Sequence, residues 1–181
     1  MAKKKPQQAA PKKAPARKPA KAAAKAPAKG KAKAKKAQPI PRGYRTVTPY
    51  LVVKGVAQLI DFMKAAFSAK ERFRMPGPGG VVMHAEMQVG DSMIMLGEAR
   101  APKGPQTSMV YLYVKDTDKL YDQAIKAGAT TVMAPANQFY GDRNAGVQDA
   151  HGNQWWIGTH VEDVSPKELQ RRLASMGDKK A

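Results

Sequence analysis

The sequence predicts an α+β domain made of two β-α-β-β-β units, preceded by a disordered basic tail. Apolar residues alternate, then follow helical spacing, then alternate again, in the same order in both halves of residues 43–163. The halves match at an offset of 61 positions, which relates Val53-Lys54 to Val114-Lys115 and Leu59 to Leu120. A unit of this kind cannot close its own sheet, so the two units should pair around a shared concave surface.

Residues 1–42 differ sharply from the rest of the chain in charge. They contain fifteen Lys or Arg and no acidic residue, whereas residues 43–181 contain seventeen basic and fourteen acidic residues. The net charge of +18 therefore comes mainly from this segment. Frequent prolines interrupt any helix and large apolar side chains are scarce, so the segment is predicted to be disordered.

A disordered polycation exchanges counterions with DNA, RNA or another polyanion, with an affinity that falls steeply as salt rises. The composition resembles the tails of linker histones and of some bacterial nucleoid proteins, which implies non-specific binding and nucleoid association. A solubilising extension without a partner is the alternative. The residues expected to contact nucleic acid are Lys3, Lys4, Lys5, Lys12, Lys13, Arg17, Lys18, Lys35 and Lys36.

The composition also excludes several kinds of chemistry. The chain contains no cysteine, which removes disulfides, thiolate catalysis and cysteine-ligated metals from consideration. No apolar run approaches the roughly 18 residues needed to span a bilayer. The basic N-terminus lacks the apolar region of a secretory signal. We therefore expect a cytoplasmic protein without a membrane partner.

The first unit is predicted to span residues 45–99. Pro49 cannot donate a ladder hydrogen bond, so it should lie on an edge strand or at the end of a strand. Gly90-Asp91 suits a two-residue hairpin turn with Gly90 at the first central position. The predicted elements are a strand over 46–54, a helix over 56–68, a short strand over 71–75, and hairpin strands over 81–89 and 92–98.

The second unit is predicted to span residues 107–161 and contains both tryptophans. Its hairpin should turn at residues 149–153, because Gly152 and Asn153 tolerate positive φ. Successive strand residues face opposite sides, so Trp155 should pack beneath a helix while Trp156 lines a hollow. The predicted elements are a strand over 108–115, a helix over 118–127, and strands over 130–133, 146–149 and 154–159.

Residues 164–181 are predicted to form a C-terminal helix and the chain end. Ser165 suits the N-cap, Pro166 the first helical position and Glu168 the third, a combination typical of helix starts.

Two segments of the sequence resemble a known family. These are His84-Ala-Glu-Met-Gln-Val-Gly-Asp-Ser92, and the stretch from Tyr140-Gly-Asp-Arg143 through Trp155-Trp156-Ile-Gly-Thr-His160 to Ser165. Both resemble the PhnB-like branch of the vicinal oxygen chelate superfamily, which includes glyoxalase I, extradiol dioxygenases and bleomycin-resistance proteins. The resemblance covers about residues 45–170 and implies curved mixed sheets around a cavity, in a homodimer with units paired within a chain or swapped between chains. Most members of this branch have no defined activity, so the resemblance implies the fold more firmly than the chemistry.

Metal-using members of this family take their ligands from the first and last strands of each unit. The resemblance places Thr48, Met95, Met109 and Trp156 at those positions. None of these is His, Glu or Asp, and a methionine thioether suits Cu(I) rather than a divalent ion. We therefore expect no metal or other cofactor, and an apolar floor that suits a small, partly apolar molecule.

His84 and Glu86 are the candidate catalytic residues. Pairing across the Gly90-Asp91 turn puts them on the same strand face as Met95. They are interpreted as an acid/base pair or ligand contact, as part of a non-standard divalent-metal site in a lyase, isomerase or dioxygenase, or as a structural polar pair. The expected ligand-binding residues are His84, Glu86, Met95, Met109, Tyr140 and Trp156.

Other polar residues receive structural interpretations. Asp142 and Arg143 are predicted to form an ion pair that locks a turn or a dimer contact, with contact to an anionic ligand as the alternative. His151 and His160 are expected to be solvated. The second hairpin is predicted to pair Trp156 with Val147 and Gln154 with Asp149.

Overall fold

The computed structural model describes residues 38–102 and 104–177. The predicted disorder and nucleic-acid contacts of residues 1–37 lie outside this range. Residues 38–42 are exposed, and the Tyr44 amide donates a hydrogen bond to the Pro41 carbonyl at 3.1 Å. Within the described part of the chain, no helix is both long and apolar enough to cross a membrane.

The first unit forms a four-stranded mixed sheet covered by one helix. Its strand order is β1-β4-β3-β2, with β1 parallel to β4 and the other neighbours antiparallel. β1 lies at an edge of the sheet, which is one of the two positions predicted from Pro49. The elements are β1 (Tyr50–Val53), α1 (Val56–Phe67), β2 (Lys70–Pro76), a 3₁₀ turn (Pro78–Gly80), β3 (Val82–Val89) and β4 (Ser92–Glu98).

The second unit repeats this topology. Its sheet has the order β5-β8-β7-β6, with β5 parallel to β8. The final helix begins at Pro166, where the Glu168 amide donates to the Ser165 hydroxyl at 3.3 Å, which confirms the predicted cap. The elements are β5 (Met109–Tyr113), α2 (Thr117–Lys126), β6 (Thr130–Asn137), β7 (Asp142–Gln148), β8 (Gln154–His160) and α3 (Pro166–Gly177).

The two units share one hydrophobic core. The apolar stripe of α1, including Leu59, Ile60 and Met63, is fully buried against the first sheet. Trp155 of the second unit joins the same core, and its ring lies 4.7 Å from that of Phe67. The two sheets therefore form a single packed α+β domain, as the sequence predicts.

The repeat is confirmed in the paired strands. Tyr50 of β1 stands opposite Met95 of β4, and Tyr111 of β5 stands opposite Trp156 of β8. The offset of 61 relates Tyr50 to Tyr111 and Met95 to Trp156. The predicted cross-strand pairs of the first hairpin are also confirmed.

The predicted pairing of the second hairpin is wrong by one residue. Trp156 pairs with Gly146 rather than Val147, and Gln154 pairs with Gln148 rather than Asp149. The cause is the turn, which is wider than the one at Gly90-Asp91 because the Asp149 carboxylate accepts hydrogen bonds from backbone amides within it. The offset of 61 relates β4 to β8, but it does not relate β3 to β7. Each residue of β7 that stands opposite a β8 residue lies one position earlier than the offset predicts.

Three strand boundaries differ from the prediction by four residues each. β1 begins at Tyr50 rather than residue 46, since Thr48 turns back to donate to the Arg45 carbonyl at 3.0 Å. β6 extends to Asn137 and β7 begins at Asp142, because these segments pair with each other beyond the predicted ends.

Candidate functional site

Each sheet packs one face against a helix and leaves the other face open. In β1, Leu51 and Val53 point into the core, whereas Tyr50 is half exposed. In β5, Tyr111 and Tyr113 are exposed, together with Met109 at 72%. These open faces carry large aromatic and methionine side chains, which is uncommon for a surface that contacts only water.

His84 and Glu86 lie side by side on the open face of the first sheet. Their closest polar atoms, His84 Nε2 and Glu86 Oε1, are 3.8 Å apart, which is longer than a hydrogen bond. His84 Nδ1 lies 3.3 Å from the Tyr50 hydroxyl, and the two rings stack with centroids 5.7 Å apart. Burial and the nearby Glu86 carboxylate raise the pKa of Tyr44 to about 12. His84 and Glu86 therefore lie beside the tyrosine rings and remain partly exposed on this face.

A second polar cluster lies on the open face of the second sheet. Asp142, only 4% exposed, accepts hydrogen bonds from the hydroxyls of Tyr113 at 3.0 Å and Tyr111 at 3.3 Å. His160 Nδ1 contacts the same carboxylate at 2.8 Å, and its Nε2 contacts Asp163 at 2.9 Å. Burial and the Asp142 charge raise the pKa of Tyr111, and the hydrogen bond to Asp142 raises the pKa of Tyr113, which keeps both phenols neutral.

The predicted ion pair between Asp142 and Arg143 is wrong. Adjacent strand residues face opposite sides, so Asp142 points to the open face while Arg143 points toward α2. There the Arg143 guanidinium pairs with Asp118 and donates to Asn137 at 3.1 Å. The pairing lowers the pKa of Asp118 through the hydrogen bond from Arg143.

His160 should titrate above its ordinary pKa of 6.5, because hydrogen bonds from the imidazole to Asp163 and Asp142 favour the charged ring. A raised pKa stabilises the folded state below pH 6.5, and this contribution is lost as pH rises through the higher folded-state pKa. Long-range ¹H–¹⁵N NMR of the His160 imidazole would measure its pKa. Asp163→Asn should lower the His160 pKa, whereas a His160 pKa at or below 6.5 in the unsubstituted protein would contradict the arrangement.

A cavity lies between the two units in the described part of the chain. It has a volume of about 690 Å³ and is lined by the segment before β1, the end of α1 and the β3–β4 hairpin of the first unit, and by β5 and α2 of the second. Most of the lining is apolar, with Arg45, Asp91 and Lys115 among the polar exceptions. The lining comprises residues 45, 47–49, 67, 89–94, 110–115 and 120.

The predicted ligand-binding residues fall into two groups, one on each sheet. Glu86 stands opposite Met95 in the first sheet, beside His84. Met109 and Trp156 lie on the second sheet, and Tyr140 lies in the turn before β7, where its hydroxyl accepts a hydrogen bond from the Asn144 side-chain amide at 2.8 Å. Thr48 lines the cavity. None of the six predicted ligand-binding residues is among the described residues that line it, so their ligand-binding role stays a prediction.

The prediction missed the tyrosines that stand opposite Met95 and Trp156. Each hydroxyl lies over a glycine of the neighbouring strand: Tyr50 over Gly97, and Tyr111 over Gly158. A Cβ at either glycine would collide with the phenol, so glycine is what allows the tyrosine to lie flat on the sheet. The sequence contains a signal for these tyrosines, because the offset of 61 relates Tyr50 to Tyr111 and Gly97 to Gly158.

The residues at the expected metal positions do not fit a divalent ion. Thr48, Met95, Met109 and Trp156 offer no carboxylate or imidazole, and neither do Tyr50 and Tyr111, which stand opposite Met95 and Trp156. Within residues 38–102 and 104–177, no group of three His, Asp or Glu side chains could hold a metal ion. Asp142 and Asp163 do not converge, because they bind opposite nitrogens of the same imidazole.

Comparison with known proteins agrees with this architecture. Residues 45–157 match the model of the Glyoxalase/Bleomycin resistance protein/Dioxygenase superfamily. An uncharacterised protein of Mycobacterium bovis is 36% identical over 143 residues, which cover 73% of this chain and 94% of the relative. An uncharacterised protein of Mycobacterium tuberculosis has the same identity, with 84% of its own length covered.

Solved structures show the same fold at lower identity. TioX from Micromonospora sp. ML1 superposes with a TM-score of 0.56 at 21% identity, covering 64% of this chain and 98% of TioX. A family protein from Burkholderia phytofirmans PsJN gives a TM-score of 0.53 at 20% identity, covering 63% of this chain and 97% of its own. The doubled unit, the family match and the mycobacterial relatives agree, and the chain belongs to the Glyoxalase/Bleomycin resistance protein/Dioxygenase superfamily.

Proposed function

We propose that this protein binds a small, partly apolar molecule between its two units, as a PhnB-like, bleomycin-resistance-like member of the superfamily. The observation that carries the proposal is the cavity of about 690 Å³. Its volume falls within the roughly 300–1,000 Å³ typical of small-molecule sites, and a mostly apolar lining with a few polar groups is typical of them as well.

The lining suits a ligand with both apolar and polar parts. Phe67, Leu112 and Leu120 supply apolar surface, whereas Tyr111 and Tyr113 add phenol groups next to it. Binding of this kind requires burial of apolar area and a few directed hydrogen bonds, and it requires no reaction. We therefore favour a sequestering or carrying role over catalysis.

A homodimer fits this proposal. A second copy placed over the open faces would remove the exposed side chains of Tyr50, Phe73, Met109 and Tyr113 from water. It would also narrow access to the molecule bound beneath it.

A metal-dependent lyase, isomerase or dioxygenase is the rival proposal, and its support is the proximity of His84 to Glu86. Two side chains supply too few ligands for a protein-held divalent ion, so further donors would have to come from a second copy or a substrate. Stoichiometric Ni, Zn, Mn or Fe in the purified protein, lost in His84→Ala, would favour this rival.

A separate proposal concerns residues 1–42, whose fifteen basic residues motivate non-specific binding to nucleic acid. Retardation of DNA by the full chain, abolished by removing residues 1–42, is the expected result. Equal retardation by the truncated protein would contradict it.

Val47→Trp should abolish ligand binding in the cavity with little effect on the fold. Val47 lines the cavity and is 82% exposed, so an indole there occupies the ligand's space without disturbing the core. A ligand at about one hundred times its Kd stabilises the folded state by about 2.7 kcal/mol. Thermal unfolding with a library of aromatic and amphipathic compounds would report this as a rise in Tm that Val47→Trp removes.

Val161→Trp is the matched control, since Val161 is also exposed and lies outside the cavity lining. Its Tm should rise with the same compounds as in the unsubstituted protein. A library in which no compound raises the Tm would refute the proposal, and so would a rise that persists in Val47→Trp.

A further inference from the structure

Three aromatic side chains lie on the open face of the second sheet. Tyr111 and Tyr113 alternate along β5, and their ring centroids are 5.0 Å apart. Trp156 stands opposite Tyr111 in the next strand. Its indole packs against the backbone of Gly146, where a Cβ would lie 3.4 Å from three ring carbons. This contact fixes one face of the indole and leaves the partly exposed ring as a platform for a planar group.

The polar groups beside these aromatic rings are mainly acceptors. Both phenols donate their protons to the buried Asp142 carboxylate, so the lone pairs of Tyr111 and Tyr113 remain available to a ligand. Asn144, 2% exposed, donates to Tyr140, and its Oδ1 has no hydrogen-bond partner in the described part of the chain. A molecule that approaches this corner therefore meets oxygens that require donors.

The charge of the cluster is negative. Two carboxylates, Asp142 and Asp163, flank a single imidazole, so an excess negative charge remains even when His160 is protonated. Two cations, Arg45 and Lys115, line the cavity that Tyr111 and Tyr113 share, and Asp91 lies 3.6 Å from the Arg45 guanidinium. An ammonium group over the tyrosine rings would gain both cation–π attraction and attraction to the carboxylates.

We propose that the open face of the second sheet recognises the head group of the bound molecule, and that this molecule is an arylalkylamine, in which a short alkyl chain joins an ammonium group to an aromatic ring. Its ammonium donates to the phenolic oxygens of Tyr111 and Tyr113 above the Asp142–His160–Asp163 cluster. Its aromatic ring lies against Trp156 and the adjoining cavity. This assignment rests on the proposed function, because it names the chemistry of the molecule bound there.

Three probes of equal size test the head group: phenethylamine, phenethyl alcohol and phenylacetate. Tryptophan emission would follow each titration, since Trp156 is accessible to the probe whereas Trp155 is buried. Phenethylamine should bind about tenfold more tightly than the alcohol, and phenylacetate more weakly than both. Equal or tighter binding of the alcohol or phenylacetate would overturn the head-group assignment and leave the proposed function standing.

Failure of all three probes to bind would also overturn the assignment. The Tm screen then decides the proposed function separately, since compounds of other chemistry that raise the Tm would preserve it. If no compound in the library raised the Tm, both the head-group assignment and the proposed function would be refuted.

Substitution of the carboxylates should remove the preference for the amine. Asp142→Asn is expected to reduce the roughly tenfold ratio between amine and alcohol toward one. Because Asp142 is buried, Asp163→Asn provides a second variant at a fully exposed side chain, with an expected loss of about twofold to threefold in amine affinity alone. Asp122→Asn on the exposed face of α2 makes the same charge change away from the site and should leave the ratio unaltered. An unchanged ratio in both site variants would contradict the proposal.

Discussion

Trp155→Ala should lower the free energy of unfolding by about 3–5 kcal/mol, the range for truncation of a large buried aromatic side chain. Trp155 has no exposed surface and packs against Phe67 of the other unit. Its indole also donates to the Asp149 carboxylate at 2.9 Å, so the substitution removes a hydrogen bond along with the ring. The expected effect is large because this one side chain joins the cores of both units.

Trp156→Ala is the matched control, because the neighbouring tryptophan lies on the opposite, open face. Its truncation removes partly exposed surface and should lower the unfolding free energy by about 1 kcal/mol or less. Urea unfolding of both variants, followed by far-UV circular dichroism, measures the difference. Equal losses of unfolding free energy in the two variants would contradict the placement of Trp155 on the buried face of the sheet and Trp156 on the open face.

Asp149→Ala should lower the unfolding free energy by about 3 kcal/mol, because buried donors left without an acceptor each lose roughly 1–3 kcal/mol. The Asp149 carboxylate accepts from the amides of His151 at 2.8 Å and Asn153 at 3.0 Å. It also accepts from the Asn153 side chain and the Trp155 indole, both at 2.9 Å. A single carboxylate thus holds the five-residue turn and positions the core tryptophan.

The turn of the first hairpin supplies the comparison for this variant. The Asp91 side chain is 82% exposed and lies 3.6 Å from Arg45. Asp91→Ala should therefore change the unfolding free energy by no more than about 0.5 kcal/mol. A comparably small change in Asp149→Ala, measured by the same urea titration, would mean that the turn holds its shape without the carboxylate.

The first hairpin was predictable in register because its turn is short. Gly90 has a φ of 56°, the conformation required at the first position of a two-residue turn, and a two-residue turn leaves one pairing for the strands. The predicted neighbours His84 and Glu86 follow from that pairing alone. In the second hairpin, side-chain hydrogen bonds to Asp149 set the turn width, and no hydrophobic periodicity encodes them.

The polar cluster of the second sheet was harder to foresee. Tyr113 and Asp142 are 29 positions apart in the sequence and meet only because β5 and β7 flank the same strand. Strand alternation alone should have separated Asp142 from Arg143, since neighbours in a strand face opposite sides. Their opposite charges and adjacency suggested a local pair, but in a strand the geometry of the sheet prevails over proximity in sequence.

The cavity between the units could not be located from the repeat. Strand alternation predicts which side chains point away from the core. It correctly placed Trp155 in the core and Trp156 on the opposite face of the sheet. The relative placement of the two units depends on contacts across them, such as the 2.7 Å hydrogen bond from Gln123 to the Ala65 carbonyl. The cavity of about 690 Å³ therefore lies along β5 and the segment before β1, and Met95 of the predicted floor does not line it.

Native mass spectrometry of the full chain distinguishes a small-molecule binder from a metal enzyme, because it reports bound metal, bound organic molecules and subunit number in one spectrum. Spectra would be recorded on the purified protein and after mixing it with phenethylamine, phenethyl alcohol and phenylacetate. We expect an organic adduct at one molecule per binding site, with the amine favoured over the alcohol and the acid. A stoichiometric divalent metal retained by the protein, or subunits that acquire no organic molecule from any of the mixtures, would contradict this expectation.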